Sequence, residues 1–567
     1  MQDFDDGRAE PEDIGVNVPV TPTIGEIIHA RFGRRDVLRG LSAAGLSAAL
    51  PAGLSAPALA QGTAGASTLT FAEIGHGIDE RHHVAAGYTA KPLIRWGDPL
   101  TKDAPPFDAA RLTAAAQEKQ FGYNCDFIAY MPLPAGSRSS DNGLLCVNHE
   151  YTNTELMFAG FKGTNNGPRG MNKEQVEIDM AAHGLSVVEV KKTGGQWAVV
   201  TDSRYNRRFA TQTMAFHLSG PAAGYDRLRT SADRTGTLVL GTLNNCAGGV
   251  TPWGTVLSAE ENFNGYFQGD AAKTPEAANH RRYGVSPWQD TSWGWHFDRF
   301  HVEKEPNEPN RFGWVVEYDP YDPRSTPVKR TALGRFKHEG ATCVVCPDGR
   351  VAVYSGDDER FEYVYRFLTQ GKFDPKNRRA NADPLDEGTL SVARFNADGT
   401  VDWLALVHGQ GPLTAANGFN SHADVLIEAR RAADLLGATA MDRPEDVETN
   451  PVTGRVYVVI NNDRRKAADD ANARERAGGA NPRAGNRWGH VVEMIPPGGA
   501  GAKADHAADK FRWDVFLLAG NPAEANQGAR YGAGTRDKGW LAAPDNIAFD
   551  RRGRIWIGTD GMPSQAV

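Results

Sequence analysis

The sequence predicts an all-β propeller, and three observations carry the expectation. A short unit recurs in the C-terminal half with an acidic residue at each end, running from Glu339 to Asp357-Asp358, from Glu445 to Asp463, and from Asp545 to Asp560. Inside each unit two β-branched or aromatic runs flank a glycine turn (Asp348-Gly349-Arg350, Thr453-Gly454-Arg455, Arg552-Gly553-Arg554), the pattern of a β-hairpin. Two looser copies lie upstream, so that copies start at Asp126, Cys246, Glu339, Glu445 and Asp545, in steps of 120, 93, 106 and 100 residues. Those steps exceed a minimal four-stranded blade of ~40–50 residues, so insertions are expected inside the blades. In a hairpin the start of the first strand lies beside the end of the second. Each copy therefore pairs its terminal acids. Hairpins set as inner strands around a ring would bring those pairs to one channel, a way to build a multi-metal site.

Taken in order, the chain begins with an address. Gly33-Arg34-Arg35-Asp36-Val37-Leu38-Arg39 reads as a twin-arginine export signal, followed by an apolar run over 41–54 and a small-residue cleavage site, Ala58-Leu59-Ala60, before Gln61. The competing reading, an amphipathic helix or membrane anchor, is disfavoured because the run is shorter than a span of ~20 residues. Residues 1–60 are thus expected to be a signal peptide and 61–567 the propeller domain, exported already folded.

Residues 61–120 carry weak strand patterns at 71–74 and 91–96. The first blade is expected at 127–133, 144–150, 185–190 and 197–201, and the second at the Cys246 and Glu260 strands with 313–318 and 328–333, around a tryptophan-rich insertion over 264–311. The third takes the Glu339 hairpin, 361–368, 391–395 and 401–407. An amphipathic helix over 424–436, closed by Gly437, leads into Met441-Asp442-Arg443-Pro444-Glu445. The fourth blade continues past a polar insertion (464–487) to 490–495 and 511–518. The fifth begins at Asp545 and has two strands before Val567, which predicts an open edge: either an N-terminal segment completes that blade or, the favoured reading, the natural C-terminus lies further on.

Composition narrows the function. A formal charge of −8 and a pI near 6.0 argue against a nucleic-acid or anionic-membrane surface. Five cysteines, an odd count, exclude a complete disulfide framework. Cys343 and Cys346 have C-x-x-C spacing, but on an apolar strand residues three apart face opposite sides, so core thiols are expected rather than a zinc knuckle. Cys246 stands where the other copies place an acid, so it is a candidate thiolate ligand, with a buried structural thiol as the alternative. Acids at hairpin ends also cap turns and pair with neighbours. Positional equivalence favours a shared role for Glu339, Glu445 and Asp545, less so for Asp357, Asp358 and Asp463. His149 and His338, beside strand ends, are expected to be structural. The mature chain carries no G-x-S-x-G elbow, no H-E-x-x-H and no phosphate-binding P-loop.

Three segments, Leu144-Leu145-Cys146-Val147-Asn148-His149-Glu150-Tyr151-Thr152, Asn245-Cys246-Ala247-Gly248-Gly249 with Thr251-Pro252-Trp253-Gly254-Thr255, and Met441-Asp442-Arg443-Pro444-Glu445-Asp446-Val447-Glu448, resemble the PhoX family of bacterial alkaline phosphatases. The resemblance runs from the leader to Asp560. It implies a six-bladed β-propeller in the periplasm or beyond that hydrolyses phosphate monoesters with iron (Fe3+) and Ca2+. It further implies metal ligation by Cys246, Glu339, Glu445, Asp545 and Asp560, calcium-side ligation by Glu260 or Glu261, and phosphate binding by Arg443; Glu339 and Glu445 join Arg443 as candidate catalytic residues. The chemistry is consistent: carboxylates suit calcium, a thiolate favours iron or zinc, and a guanidinium offers phosphate two parallel donors. Alternatively, Arg443 pairs with Glu445 or Asp446. The implied partners are small phosphate esters and the twin-arginine export machinery, without nucleic acid or stable membrane insertion, and a monomer is expected. The rival readings are a calcium-dependent lactonase-like propeller, which needs neither thiolate nor phosphate clamp, and a non-catalytic calcium-binding propeller.

Overall fold

The computed structural model describes residues 69, 71–75, 81–161, 170–287, 291–381, 383–461, 474, 476–532, 535 and 539–560. The leader motif at Arg34-Arg35, its cleavage site and Asp463 lie outside the described residues. The first sheet is formed by β1 (Cys125–Pro132), β2 (Asn142–His149), β3 (Gly184–Thr193) and β4 (Gln196–Val199), with β5 (Arg207–Phe209) on β3. In the second, β6 (Ala215–Ser219) and β7 (Leu238–Leu240) extend a blade made of β8 (Asn245–Val250), β9 (Val256–Glu260), β10 (Val315–Tyr318) and β11 (Val328–Arg330). The β6–β11 contact is parallel.

The third sheet joins two blades at their outer strands. One blade is β12 (His338–Val345), β13 (Val351–Asp357), β14 (Val364–Thr369), β15 (Gly388–Phe395) and β16 (Thr400–Ala405). The other is β17 (Pro444–Thr449), β18 (Val456–Ile460), β19 (His490–Ile495) and β20 (Lys510–Leu518), with β16 paired to β20. A last hairpin, β21 (Pro544–Phe549) and β22 (Ile555–Thr559), completes the described strands.

The all-β propeller expectation holds, and the described residues supply five inner hairpins: β1–β2, β8–β9, β12–β13, β17–β18 and β21–β22. Their first strands neighbour one another in chain order, β1 beside β8, β8 beside β12, β12 beside β17 and β17 beside β21. Glycine permits the close approach: a Cβ on Gly356 of β13 would sit 2.1 Å from the carbonyl oxygen of Glu445 on β17. Between blades the core is aliphatic and aromatic, with Val351, Val353, Phe367 and Val392 in one cluster and Val447, Val456, Val458 and Val492 in another. Cys343 packs against the first of these clusters and Cys346 belongs to the second, as strand alternation requires.

Several local expectations need correction. Residues 71–74 and 91–96 form no strand; Phe71 instead packs its ring 6.5 Å from that of Trp556 on the last hairpin. The helix expected over 424–436 is two helices, His422–Ile427 and Ala429–Leu436, broken at Glu428, whose backbone leaves helical values and whose carboxylate accepts from Arg227 at 2.7 Å and from Arg431. A ten-residue helix, Lys173–Ala182, was not anticipated. Its signal was the Asn172…Gln175 capping box, in which each side chain bonds the other's backbone N–H. Among the described residues no helix is long and apolar enough to cross a membrane.

Candidate metal centre and active site

All five inner hairpins carry the same irregularity, and it builds the site. In each, three residues of the first strand span the distance of two on the second, as where Asn245 pairs with Glu260 but Gly248 pairs with Ser258. Such a bulge re-aims side chains at the end of a ladder. The residues it sets at the inner end are Asp126, Cys246, Glu339, Glu445 and Asp545. Two positions before four of them the backbone is left-handed at a non-glycine residue: Asn124 (φ 41°), Asn244 (46°), Arg443 (47°) and Ala543 (44°). A conformation of this kind costs ~1–3 kcal/mol, and it clusters where structure is fixed for function.

The second strands end just as regularly. The residues facing the bulge are His149, Glu260, Asp357, Ile460 and Thr559, and those that follow are Glu150, Glu261, Asp358, Asn461 and Asp560. The equivalent of the acid sought at Asp463 is therefore Asn461.

One cavity of about 170 Å³ is lined by Asp126, Glu150, Cys246, Glu261, Glu339, Asp358, Glu445, Asp545 and Asp560, together with Arg443, Asn124, Cys125 and Tyr151. Eight carboxylates and two thiols, Cys246 and Cys125, thus share it with one guanidinium. Donor atoms come within 4.8 Å of one another in three overlapping sets: Asp126, Glu150 and Cys246; Cys246, Glu261 and Glu339; and Glu339, Asp358 and Glu445. The Cys246 thiol donates to Glu339 Oε1 at 3.2 Å, and Asn148 of the first hairpin pins the Cys246 and Ala247 carbonyls at 2.5 and 3.1 Å. Arg443 donates through Nε and Nη2 to Asp358 at 3.1 and 2.8 Å and approaches Glu445 Oε1 at 3.2 Å.

Crowding of like charge in a buried space disfavours ionisation. Burial, then the neighbouring Glu261, Asp545 and Asp126, push Glu339 well above the usual carboxylate range, and burial with Asp358 and Asp545 does the same to Glu445. Asp545 rises to about 8 through burial and Asp560, and Asp126 to about 6. The Cys246 thiol is likewise pushed up by burial and by Asp126 and Glu339. Deprotonated donors in this number need cations, so the residues present fit a metal cluster.

Of the anticipated ligands, the cavity assembles Cys246, Glu261, Glu339, Glu445, Asp545 and Asp560, with Arg443 in its wall. It does not include Glu260. That carboxylate is fully buried on the opposite side of its strand end, accepting from Lys329 Nζ at 2.7 Å, Thr242 Oγ1 at 2.8 Å and the backbone N–H groups of Leu243, Gly313 and Trp314. Asp357 is similarly diverted, to Arg430 at 2.9 and 2.5 Å. His149 and His338 are structural: His149 bonds Tyr123 O and Ser186 Oγ, and His338 bonds Ser355 Oγ and Gly334 O. Sequence reading left Asp126, Glu150 and Tyr151 out of the site, although the hairpin rule applied to the first copy would have found both acids. Lys337, two residues before Glu339 in sequence, donates to Glu359 at 2.5 Å.

Buried acids that hold their charge only against cations, beside an arginine suited to an oxyanion, define a metal-dependent phosphatase on a propeller scaffold. Residues 69–567 match the family described as Alkaline phosphatase PhoX, and the chain belongs to that family of alkaline phosphatases. Among solved structures it is similar to Pseudomonas fluorescens PhoX in complex with vanadate, a transition state analogue. The two are 42% identical, with a TM-score of 0.78 over 88% of this chain and 84% of that one. No curated protein matches.

Proposed function

We propose that this alkaline phosphatase acts outside the cytoplasm, after twin-arginine export, on phosphate monoesters bound over a mixed iron and calcium centre. The observation that carries the metal assignment is the overlap of donor sets: the soft thiol of Cys246 belongs to two of them, whereas Glu339, Asp358 and Glu445 form an all-oxygen set. Fe3+ suits the sets that contain the thiolate and Ca2+ the all-carboxylate set. The ligands are then Cys246, Glu261, Glu339, Glu445, Asp545 and Asp560 as anticipated, with Asp126, Glu150 and Asp358 added. When bound, the metals neutralise the phosphoryl oxygens and activate an oxygen nucleophile.

The chain's own residues bind and orient. Arg443 presents its guanidinium to the phosphoryl group, and Asp358 fixes the plane of that fork through two hydrogen bonds. Glu339 and Glu445 hold the inner ends of two blades together around the reacting group. The cavity's small polar volume admits a phosphoryl group and leaves the organic portion of the ester at the mouth. Elemental analysis of the purified protein tests the centre: iron with calcium is expected, and calcium alone would favour a calcium-dependent propeller instead. Vanadate binds the Pseudomonas fluorescens relative, and it is expected to inhibit this enzyme. Arg443→Lys replaces a bidentate fork with a point charge. It should keep the metals yet lose about 1.5–3 kcal/mol of transition-state binding, roughly a tenfold to hundredfold drop in kcat/KM.

A further inference from the structure

In the third hairpin the anchoring of the strand end reaches beyond the blade. Asp358 lines the cavity and grips Arg443, whereas its neighbour Asp357 faces away. The Asp357 carboxylate accepts Nε and Nη2 of Arg430 at 2.9 and 2.5 Å and the backbone N–H of Lys337 at 3.2 Å. Arg430 is 1% exposed and is carried by the helix Ala429–Leu436, which lies between the third and fourth blades in sequence. That helix is itself locked, because Asp434 accepts from Arg282 at 3.0 Å and Arg282 grips Glu362 at 2.6 and 2.7 Å.

We propose that Arg430 is a positioning residue for phosphate binding: through Asp357 it fixes Asp358, and through Asp358 it fixes the guanidinium plane of Arg443. This rests on Arg443 binding phosphate. Two parallel N–H donors hold a carboxylate in one plane, which a single point charge does not. Asp358 is one peptide away, its own N–H bonded to Lys337 O at 3.0 Å, so rotation of Asp357 is transmitted to it. The simpler role, neutralising a buried aspartate, is served equally well by lysine. Arg430→Lys therefore separates the two.

The experiment uses the metal-loaded enzyme and inorganic phosphate as competitive inhibitor, with wild type, Arg430→Lys, Arg443→Lys and the double variant. Arg430→Lys should retain its metals and its melting temperature while its phosphate inhibition constant rises roughly tenfold; in the Arg443→Lys background the same change should add less than about twofold, because it acts through Arg443. Unchanged phosphate inhibition in Arg430→Lys, or a full additive loss in the double variant, overturns the positioning role. Should Arg430→Lys not fold, Asp357→Asn takes its place in both measurements: weaker phosphate inhibition that vanishes in the Arg443→Lys background supports the role, and unchanged or additive inhibition overturns it. If Arg443→Lys alone leaves phosphate inhibition unchanged, the role of Arg443 itself fails, and the positioning role with it.

Discussion

The second and third hairpins receive the same instructions from sequence and solve them with different partners. Each ends its second strand in an acid doublet, Glu260-Glu261 and Asp357-Asp358, and in each the first acid turns outward while the second enters the cavity. In the second hairpin the outward acid is neutralised by Lys329 of β11, within the same blade. In the third it is neutralised by Arg430 from the helix between blades. Each hairpin also carries a cysteine on its first strand, Cys246 at the bulge and Cys343 beyond it. One chemical group thus has two fates. Position relative to the bulge selects between them, and a buried cation stabilises the acid that is turned away.

The largest effect is expected where that cation is removed. Lys329→Met leaves Glu260, fully buried, without its counter-charge. Breaking a buried pair in this way costs about 3–5 kcal/mol. Urea unfolding of the purified enzyme should show that loss. Combining the change with Glu260→Gln should recover most of it, because the stranded charge is gone. A Lys329→Met protein as stable as wild type would mean that Glu260 needs no anchor and that the two hairpins differ more deeply than proposed.

Next in size is the thiol at the bulge. Cys246→Ser keeps shape and burial but exchanges a soft ligand for a hard one. The variant is expected to fold, to lose iron and any visible charge-transfer colour, and to retain calcium bound by Glu339, Asp358 and Glu445. Full iron content in the purified variant would return Cys246 to the role of a structural thiol.

How much of this was legible depends on what fixes each feature. Strand positions were readable because β-branched runs and glycine turns encode them locally: the Val456–Ile460 strand lies where its apolar run predicts. That Glu339, Glu445 and Asp545 share a site was readable from their equivalence. Which member of a doublet faces inward was not, because strand alternation at the end is reset by the extra residue of the bulge, and its consequence depends on Lys329 or Arg430, distant in sequence. Asp126 and Glu150 were read as the ends of a looser first copy but not as ligands, because that hairpin's long turn, between β1 and β2, matches the tighter copies less closely.

A smaller effect separates the metal-free protein from the loaded one. Asp545, raised to about 8, and Asp126, raised to about 6, favour their protonated forms in the folded state. Groups raised in this way contribute stability that is present below the unfolded carboxylate value of ~4. That stability is lost as pH rises through about 6 for Asp126 and about 8 for Asp545. Relative to the metal-loaded enzyme, the chelated protein's melting temperature should therefore fall progressively from acid to mildly alkaline pH. Parallel curves for the two forms would show that these acids do not face one another without cations.

The smallest effect is expected at the thiol beyond the bulge, and it sharpens the contrast with Cys246. Cys343 is partly buried against the core cluster that contains Val351 and Val353, and it is a free cysteine. Its thiol is pushed far above the usual range by burial, with Glu317 and Glu448 adding to the shift, so it is neither a ready nucleophile nor a ready ligand. Cys343→Ala removes only the sulfur's packing, a loss of about 1 kcal/mol. Metal content, the phosphate inhibition constant and kcat/KM should stay at wild-type values, with a slightly lower unfolding midpoint as the sole readout. Loss of iron from Cys343→Ala would mean that thiols on this strand reach the metal centre, and position relative to the bulge would then no longer explain why Cys246 is a ligand.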